Sequence, residues 1–204
     1  MKLFWSSRSP FVRKVMVFAH ECGLAGRIEC ERTVVAMTRP NAELLKINPT
    51  GKIPTLLLDD GVALYDSTVI CEYLDGLHDG AKLFPPAGTA RWTALRRHAL
   101  GSNLLDNLML WRNEMLRPAT QQSPETLAAF ELKVRNAIAA LDREADALAA
   151  EPVGIGHVAI ACALSYADFR FAELGWRKGN ERIAHWYDTF ALRPSMTATA
   201  HVDQ

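Results

Sequence analysis

No CxxC pair occurs among the four cysteines, Cys22, Cys30, Cys71 and Cys162, and their spacing matches no metal motif. They read as free structural thiols, which excludes a disulfide framework and a redox pair of the protein's own. The six histidines, His20, His78, His98, His157, His185 and His201, are scattered. With no HExxH and no His/Cys cluster, no metal is expected. The longest apolar run, Val158 to Leu164, falls far short of the roughly 20 residues of a membrane helix. Charge of one sign is missing too: Lys+Arg 23 balances Asp+Glu 23. No global field draws the chain to nucleic acid or an anionic membrane, so neither is an expected partner. Met1-Lys2-Leu3-Phe4-Trp5 passes at once into polar residues and lacks a signal peptide's apolar region, so a cytoplasmic protein is expected.

What is present suits a globular chain of 204 residues, 49% hydrophobic and 23% charged. Leu3-Phe4-Trp5 reads as a short strand and Pro10 to Gly23 as a helix with Val12, Val15, Met16 and Ala19 on its apolar face. Arg27 to Val34 is a second strand. Pro40 to Ile47 has helical character and stops at the turn Asn48-Pro49-Thr50-Gly51. Ile53 to Leu58 and Val62-Ala63-Leu64, joined through Asp59-Asp60-Gly61, form an antiparallel hairpin. Ser67 then caps a helix carrying Val69, Ile70, Tyr73, Leu74 and Leu77 at helical spacing. The order βαβ, helical turn, ββα gives a small mixed α/β domain over residues 1–78. Phe84-Pro85-Pro86-Ala87-Gly88 marks a linker, residues 79–88.

Residues 89–204 read as helix throughout. Thr89 to Leu116 is one long pattern, and Ser123-Pro124-Glu125 caps and opens a second helix running to about Ala150. Val158 to Leu174 is apolar on nearly every face, as the buried centre of a bundle would be. Asn180 to Leu192 supplies one more helix before Pro194.

Ser9-Pro10-Phe11, just beyond the first strand, has the layout of a thiol-handling turn with Ser9 where a redox site carries its first cysteine. A hydroxyl there forms no disulfide but can hydrogen-bond the sulfur of a bound small-molecule thiol. Three stretches then carry a resemblance: Ser9 to Val15, Asn48 to Leu56 and Tyr65 to Leu74. With them the chain resembles the cytosolic glutathione S-transferases, which join a thioredoxin-like N-terminal domain to an all-α C-terminal domain. Ile160 to Arg170, followed by Gly175-Trp176, resembles a bacterial, YibF-like branch of the family.

The resemblance implies glutathione as co-substrate, no metal, and a serine-type site in which Ser9 is catalytic. It implies glutathione contacts from Ser9, Phe11, Lys52, Ile53, Pro54, Asp66 and Ser67. Pro54, cis in the family, would expose the Ile53 backbone to the cysteinyl unit. Ser67 would take the γ-glutamyl carboxylate, Asp66 the adjoining ammonium and Lys52 the glycine carboxylate. Ser6 and Ser7 are nearby rivals outside the motif position, and Arg13 reads as a helper on the helix face. An apolar electrophile would bind between the domains, with Phe11, Asn107, Trp111 and Arg112 as wall residues. The resemblance further implies a homodimer and glutathione conjugation in detoxification. A non-enzymatic binding or regulatory protein of the same fold, or a glutathione-dependent isomerase or peroxidase, would use the same residues.

One stretch departs from the family pattern. The family opens its central C-terminal helix with a Ser/Thr-x-x-Asp capping box, where this chain has Gly154-Ile155-Gly156-His157. Glycine gives up the side-chain bond and His157 is expected not to return the carboxylate's, at a cost of about 0.5–1 kcal/mol. Gly154→Ser with His157→Asp is therefore expected to raise the melting temperature.

Overall fold

The apolar residues of β1 (Lys2–Trp5) seed a four-stranded sheet with β2 (Glu29–Arg32), β3 (Thr55–Leu57) and β4 (Ala63–Leu64), in the order β2-β1-β3-β4. The computed structural model describes residues 1–203. β1 runs parallel to β2, with Leu3 opposite Cys30, and antiparallel to β3, with Phe4 opposite Thr55. β3 and β4 form the hairpin, pairing Leu56 with Leu64. β2 is an edge strand with all its residues exposed, and its Glu, Glu and Arg side chains discourage pairing with another sheet.

Two helices pack together against this sheet: α1 (Pro10–Glu21) and α3 (Ser67–Asp75). A short α2 (Ala42–Ile47) lies between them in the chain, capped by Asn41, whose Oδ1 accepts the Leu44 N–H at 3.0 Å. Leu3, Val12, Val15, Phe18, Leu56, Ile70 and Leu74 are buried in this first core, with Phe84 against Phe18. Burial around α1 is wider than an amphipathic face: Arg13, Lys14 and Val17 are buried, while Met16 is only half-buried. The reason is that α1 packs against α3 and also against a helix from much later in the chain, α8 (Pro194–Ala198).

The first compact unit is therefore residues 1–86 with the described residues from 194 to 203, and the second is 87–193. This differs from the expected division into 1–78, a linker 79–88, and 89–204. Met196 is buried, and Arg13 donates to its carbonyl at 3.0 Å, which ties residues 194 onward to α1. The expected linker is largely anchored. Asp75 accepts the Leu83 and Phe84 amides at 2.9 and 3.1 Å, and both of those side chains are buried.

The second unit is built from α4 (Gly88–Met115), α5 (Pro124–Ala150), α6 (Ile155–Arg170) and α7 (Glu181–Ala191). Every α6 residue from Ile155 to Ala167 is buried, as its all-round apolar sequence demands. α6 stops at Arg170 rather than at Leu174, and a single tight turn, Ala172–Leu174, follows it. α4 meets α6 at Gly101, where an added Cβ would stand 2.7 Å from the Ala159 and Ile160 backbone. Among the described residues no helix is long and apolar enough to cross a membrane.

The expected failure of the α6 cap does not occur. His157 Nδ1 accepts the Gly154 N–H at 3.1 Å, as a capping-box carboxylate would, and Nε2–H donates to the Leu148 carbonyl at 3.0 Å. One neutral tautomer makes both bonds. Gly154 brings no side chain of its own, so only this half of the box is present.

Candidate functional site

The topology of the first unit sends three loops out from one end of the sheet. β1 ends at Trp5 beside the start of β3 at Thr55, and β4, antiparallel to β3, ends at that same side. The chain after β1 carries Ser9, the chain before β3 carries Lys52-Ile53-Pro54, and the chain after β4 carries Asp66-Ser67. Residues from three separate stretches thus converge because strand direction requires it.

Ser9 is the N-cap of α1, with Pro10 at the first helical position. Its Oγ accepts the Val12 N–H at 3.3 Å, and its own N–H closes a turn on the Ser6 carbonyl at 3.1 Å. A hydroxyl that accepts through one lone pair keeps its proton to donate. Helix cap and anion donor are therefore compatible roles. The half-buried side chain stands at the positive end of a helix of 12 residues.

Asn48 organises the second loop and is fully buried, at 0% exposure. Its Nδ2 donates to the Lys52 carbonyl at 3.1 Å and to Thr55 Oγ1 at 2.8 Å. Its Oδ1 accepts from the Thr50 N–H and hydroxyl at 2.9 and 2.8 Å. Gly51, at φ 62°, supplies the left-handed residue this turn needs. Beyond the turn Lys52 is exposed, Ile53 and Pro54 are buried, and the Ile53–Pro54 peptide is cis. Among the described residues, no backbone hydrogen bond uses the Ile53 N–H or C=O. That leaves a single-residue edge open to a peptide-like ligand.

In the third loop the helix cap is Asp66, not Ser67 as the sequence suggested. Asp66 Oδ1 accepts the Thr68 N–H at 2.8 Å, and Ser67 is the first helical residue, buried at the N-terminus of α3. Partial burial pushes the Asp66 carboxyl up. The Thr68 amide and hydroxyl, Lys14 and the Val69 amide outweigh that, so its pKa lies below the usual value. Asp66 is a carboxylate at neutral pH.

Lys14, missed from sequence, is 1% exposed, with its ammonium 5.6 Å from the Phe11 ring. A cation among the apolar positions of α1 was the available signal. Arg13 lies elsewhere: besides Met196 it reaches Thr199 Oγ1 at 3.4 Å, tying α1 to the later segment. In the second unit, Asn107 bonds back to the Asn103 carbonyl at 2.9 Å and Arg112 is half-buried. Trp111 is 8% exposed with its ring 4.9 Å from that of Phe171, so it is a packing residue of the helical core rather than a pocket wall.

Cys22, Asp75 and His78 bring their ligand atoms within 4.8 Å of one another at the opposite ends of α1 and α3. The donor set does not fit a metal. His78 Nδ1 accepts the Gly80 N–H at 3.1 Å, so Nε2 carries the proton it donates to Asp75 at 3.2 Å. Burial, with Asp75 and Glu21 nearby, pushes the Cys22 thiol up to about 12, far from a reactive thiolate.

Residues 8–77 match the family model described as glutathione S-transferase, N-terminal domain, and residues 124–189 the corresponding C-terminal domain. A glutathione transferase family member from Pseudomonas fluorescens Pf-5, solved with bound glutathione, is 41% identical. It superposes with a TM-score of 0.96 over 99% of both chains. A glutathione S-transferase from Methylobacillus flagellatus KT with glutathione bound is 32% identical, with a TM-score of 0.88 over 98% of this chain and 99% of that one. The uncharacterized GST-like protein YibF of Escherichia coli K12 is 27% identical over 98% of both chains.

Proposed function

The chain belongs to the glutathione S-transferase family, and from that premise we propose that it binds glutathione at the loop end of the sheet and transfers it to a small apolar electrophile. The observation that carries this reading is the Ser9 hydroxyl, engaged as acceptor by Val12 yet still able to donate. In this reading the Ile53 backbone pairs with the cysteinyl unit, and the Ser67 amide and hydroxyl take the γ-glutamyl carboxylate at the start of α3. Asp66, ionised at neutral pH, pairs with the neighbouring ammonium, and Lys52 meets the glycine carboxylate. Phe11 offers an apolar ring to the acceptor. The same Pseudomonas family member is also solved with S-(propanoic acid)-glutathione, which supports a site tolerant of a substituted sulfur. A homodimer belongs to the same reading.

The energetics are within reach of these residues. A free thiol with a pKa near 8.5 is only a few per cent thiolate at neutral pH. Lowering that by about two units takes about 2.7 kcal/mol of preferential stabilisation. A hydrogen bond to a charged group contributes about 1.5–3 kcal/mol, and helix N-terminal amides about 0.3–1 kcal/mol more. Ser9 and the start of α1 suffice together. The thiolate sulfur then forms the new C–S bond as the bond to the electrophile's leaving group breaks. The leaving group (halide, for an aryl halide) departs to solvent with the electron pair; the thiol proton has already left to solvent.

Calorimetry with glutathione tests the binding half. The wild-type protein is expected to bind, and Asp66→Asn to weaken the affinity about tenfold, the size of one charge-assisted contact. Asparagine caps helices as well as aspartate, so the fold is kept. No binding at millimolar glutathione would overturn the reading, and an unchanged affinity in Asp66→Asn would remove Asp66 from the site.

A further inference from the structure

The turn that delivers Ser9 has Ser6 and Ser9 as its ends, joined by the Ser9 N–H to Ser6 carbonyl bond, and Ser7 and Arg8 as its two central residues. Both central residues are held from outside, by a segment nearly two hundred positions away in sequence. His201 Nδ1–H donates to the Ser7 carbonyl at 3.1 Å. The Ser7 hydroxyl donates to the Val202 carbonyl at 2.8 Å, and Arg8 pairs with Asp203 at 3.5 Å. Upstream the same segment is fixed to α1. Arg13 holds the Met196 carbonyl and the Thr199 hydroxyl, and the Ser195 hydroxyl donates to Glu21 at 2.5 Å.

We propose that residues 199–203 form a strap that positions the Ser6–Ser9 turn, with His201 acting on Ser9 through Ser7 as a positioning residue. The turn itself is short and polar, and the hydroxyl of Ser9 must be aimed to within a fraction of an ångström to favour a thiolate. None of residues 199–203 is buried in packed core: Thr199 and His201 are half-buried, and Ala200, Val202 and Asp203 are exposed. Thr199, Ala200 and Val202 line a half-open pocket of about 320 Å³ together with Trp5, Met16, His20 and Cys30. Polar contacts rather than apolar burial therefore set its place, and losing one of them is felt at the turn. His201 is the contact that reaches the turn's own backbone.

This inference rests on the reading of Ser9 as the group that faces the thiol, so its test has one arm that needs no glutathione. Hydrogen exchange of the Ser9 amide is measured in the free protein for wild type, His201→Ala and His201→Asn. Asparagine places an amide N–H where Nδ1–H stood. Conjugation to an aryl halide is followed for the same proteins and for Ser9→Ala. His201→Ala is expected to speed Ser9 amide exchange and to lower kcat about fivefold, the effect of one net hydrogen bond. KM for glutathione should hold, and His201→Asn should restore both exchange and kcat. Unchanged exchange at Ser9 in His201→Ala overturns the strap, whatever Ser9→Ala does. Faster exchange with unchanged turnover, while Ser9→Ala loses activity, overturns the positioning role. If Ser9→Ala keeps full activity, the reading of Ser9 fails, and the exchange result alone decides whether the strap holds the turn.

Discussion

At the scale of single residues, the candidate site was legible as short motifs. Ser9 beside Pro10, Ile53 beside Pro54 and Asp66 beside Ser67 are local signals that each also suit a plain cap or strand start, and it was their resemblance to the family pattern that singled them out. Asn48 was legible only as a turn former, because two of its four side-chain bonds reach Lys52 and Thr55, whose positions the fold alone supplies. Lys14 showed only as a cation among apolar positions, because the Asp66 carboxylate it acts on is brought near by the fold, and His201 was out of reach because its partner lies in the turn before Ser9. Asn48→Ala removes buried bonds from the loop that bears Lys52, Ile53 and Pro54. The expected loss is about 2–4 kcal/mol of stability by denaturant titration. Calorimetry should show at least a tenfold weaker glutathione affinity, since an unpinned Ile53 must be ordered on binding. Full stability in Asn48→Ala would show that the loop holds itself.

At the scale of elements, helices were read better than strands. α5 begins and ends where its cap, Pro124 and its periodicity put it, and α4 lies within a residue or so of expectation. β2 was drawn too long, because an exposed edge strand reading Glu-Cys-Glu-Arg leaves no apolar pattern to mark its ends. The instructive case is the start of α6, where imidazole does what a carboxylate does in the family pattern and also satisfies Leu148. The expectation that Gly154→Ser with His157→Asp stabilises is thereby reversed. Aspartate cannot donate to the buried Leu148 carbonyl, at a cost of about 1–3 kcal/mol. Serine at 154 returns only a few tenths. The double variant should melt below the wild type.

Burial holds the His157 pKa below its ordinary 6.5, with Arg97 adding to the effect and the Leu148 carbonyl and Glu151 opposing it. The unfolded chain thus takes up a proton that the native state resists. This contribution to stability is complete above pH 6.5 and is lost as pH falls from there towards the native pKa. Melting curves should drop across that window in the wild type and flatten in His157→Gln, which keeps a donor for Leu148 without a titrating ring. An equal slope in both would assign the acid sensitivity to other groups.

At the scale of the whole molecule, the two-part organisation was visible in the switch from short strands to continuous helix. The return of residues 194–203 to the first unit was not. Nothing in Pro194 to Ala198 signals a partner; the contact buries Met196, and Arg13 is satisfied there by donating to the Met196 carbonyl. Removing residues from 194 onward should destabilise the first unit by about 3 kcal/mol or more. That sums a charged hydrogen bond and a buried methionine, and equilibrium unfolding monitored at Trp5 would read it. What the molecule is proposed to do rests on the sulfur of bound glutathione, and the most direct measurement is its ionisation. Titrating the thiolate absorbance of the glutathione complex should give a pKa about two units below the free thiol's for the wild type. In Ser9→Ala the value should return most of the way. A bound thiol with an ordinary pKa in the wild type, or one equally depressed in Ser9→Ala, would contradict the account.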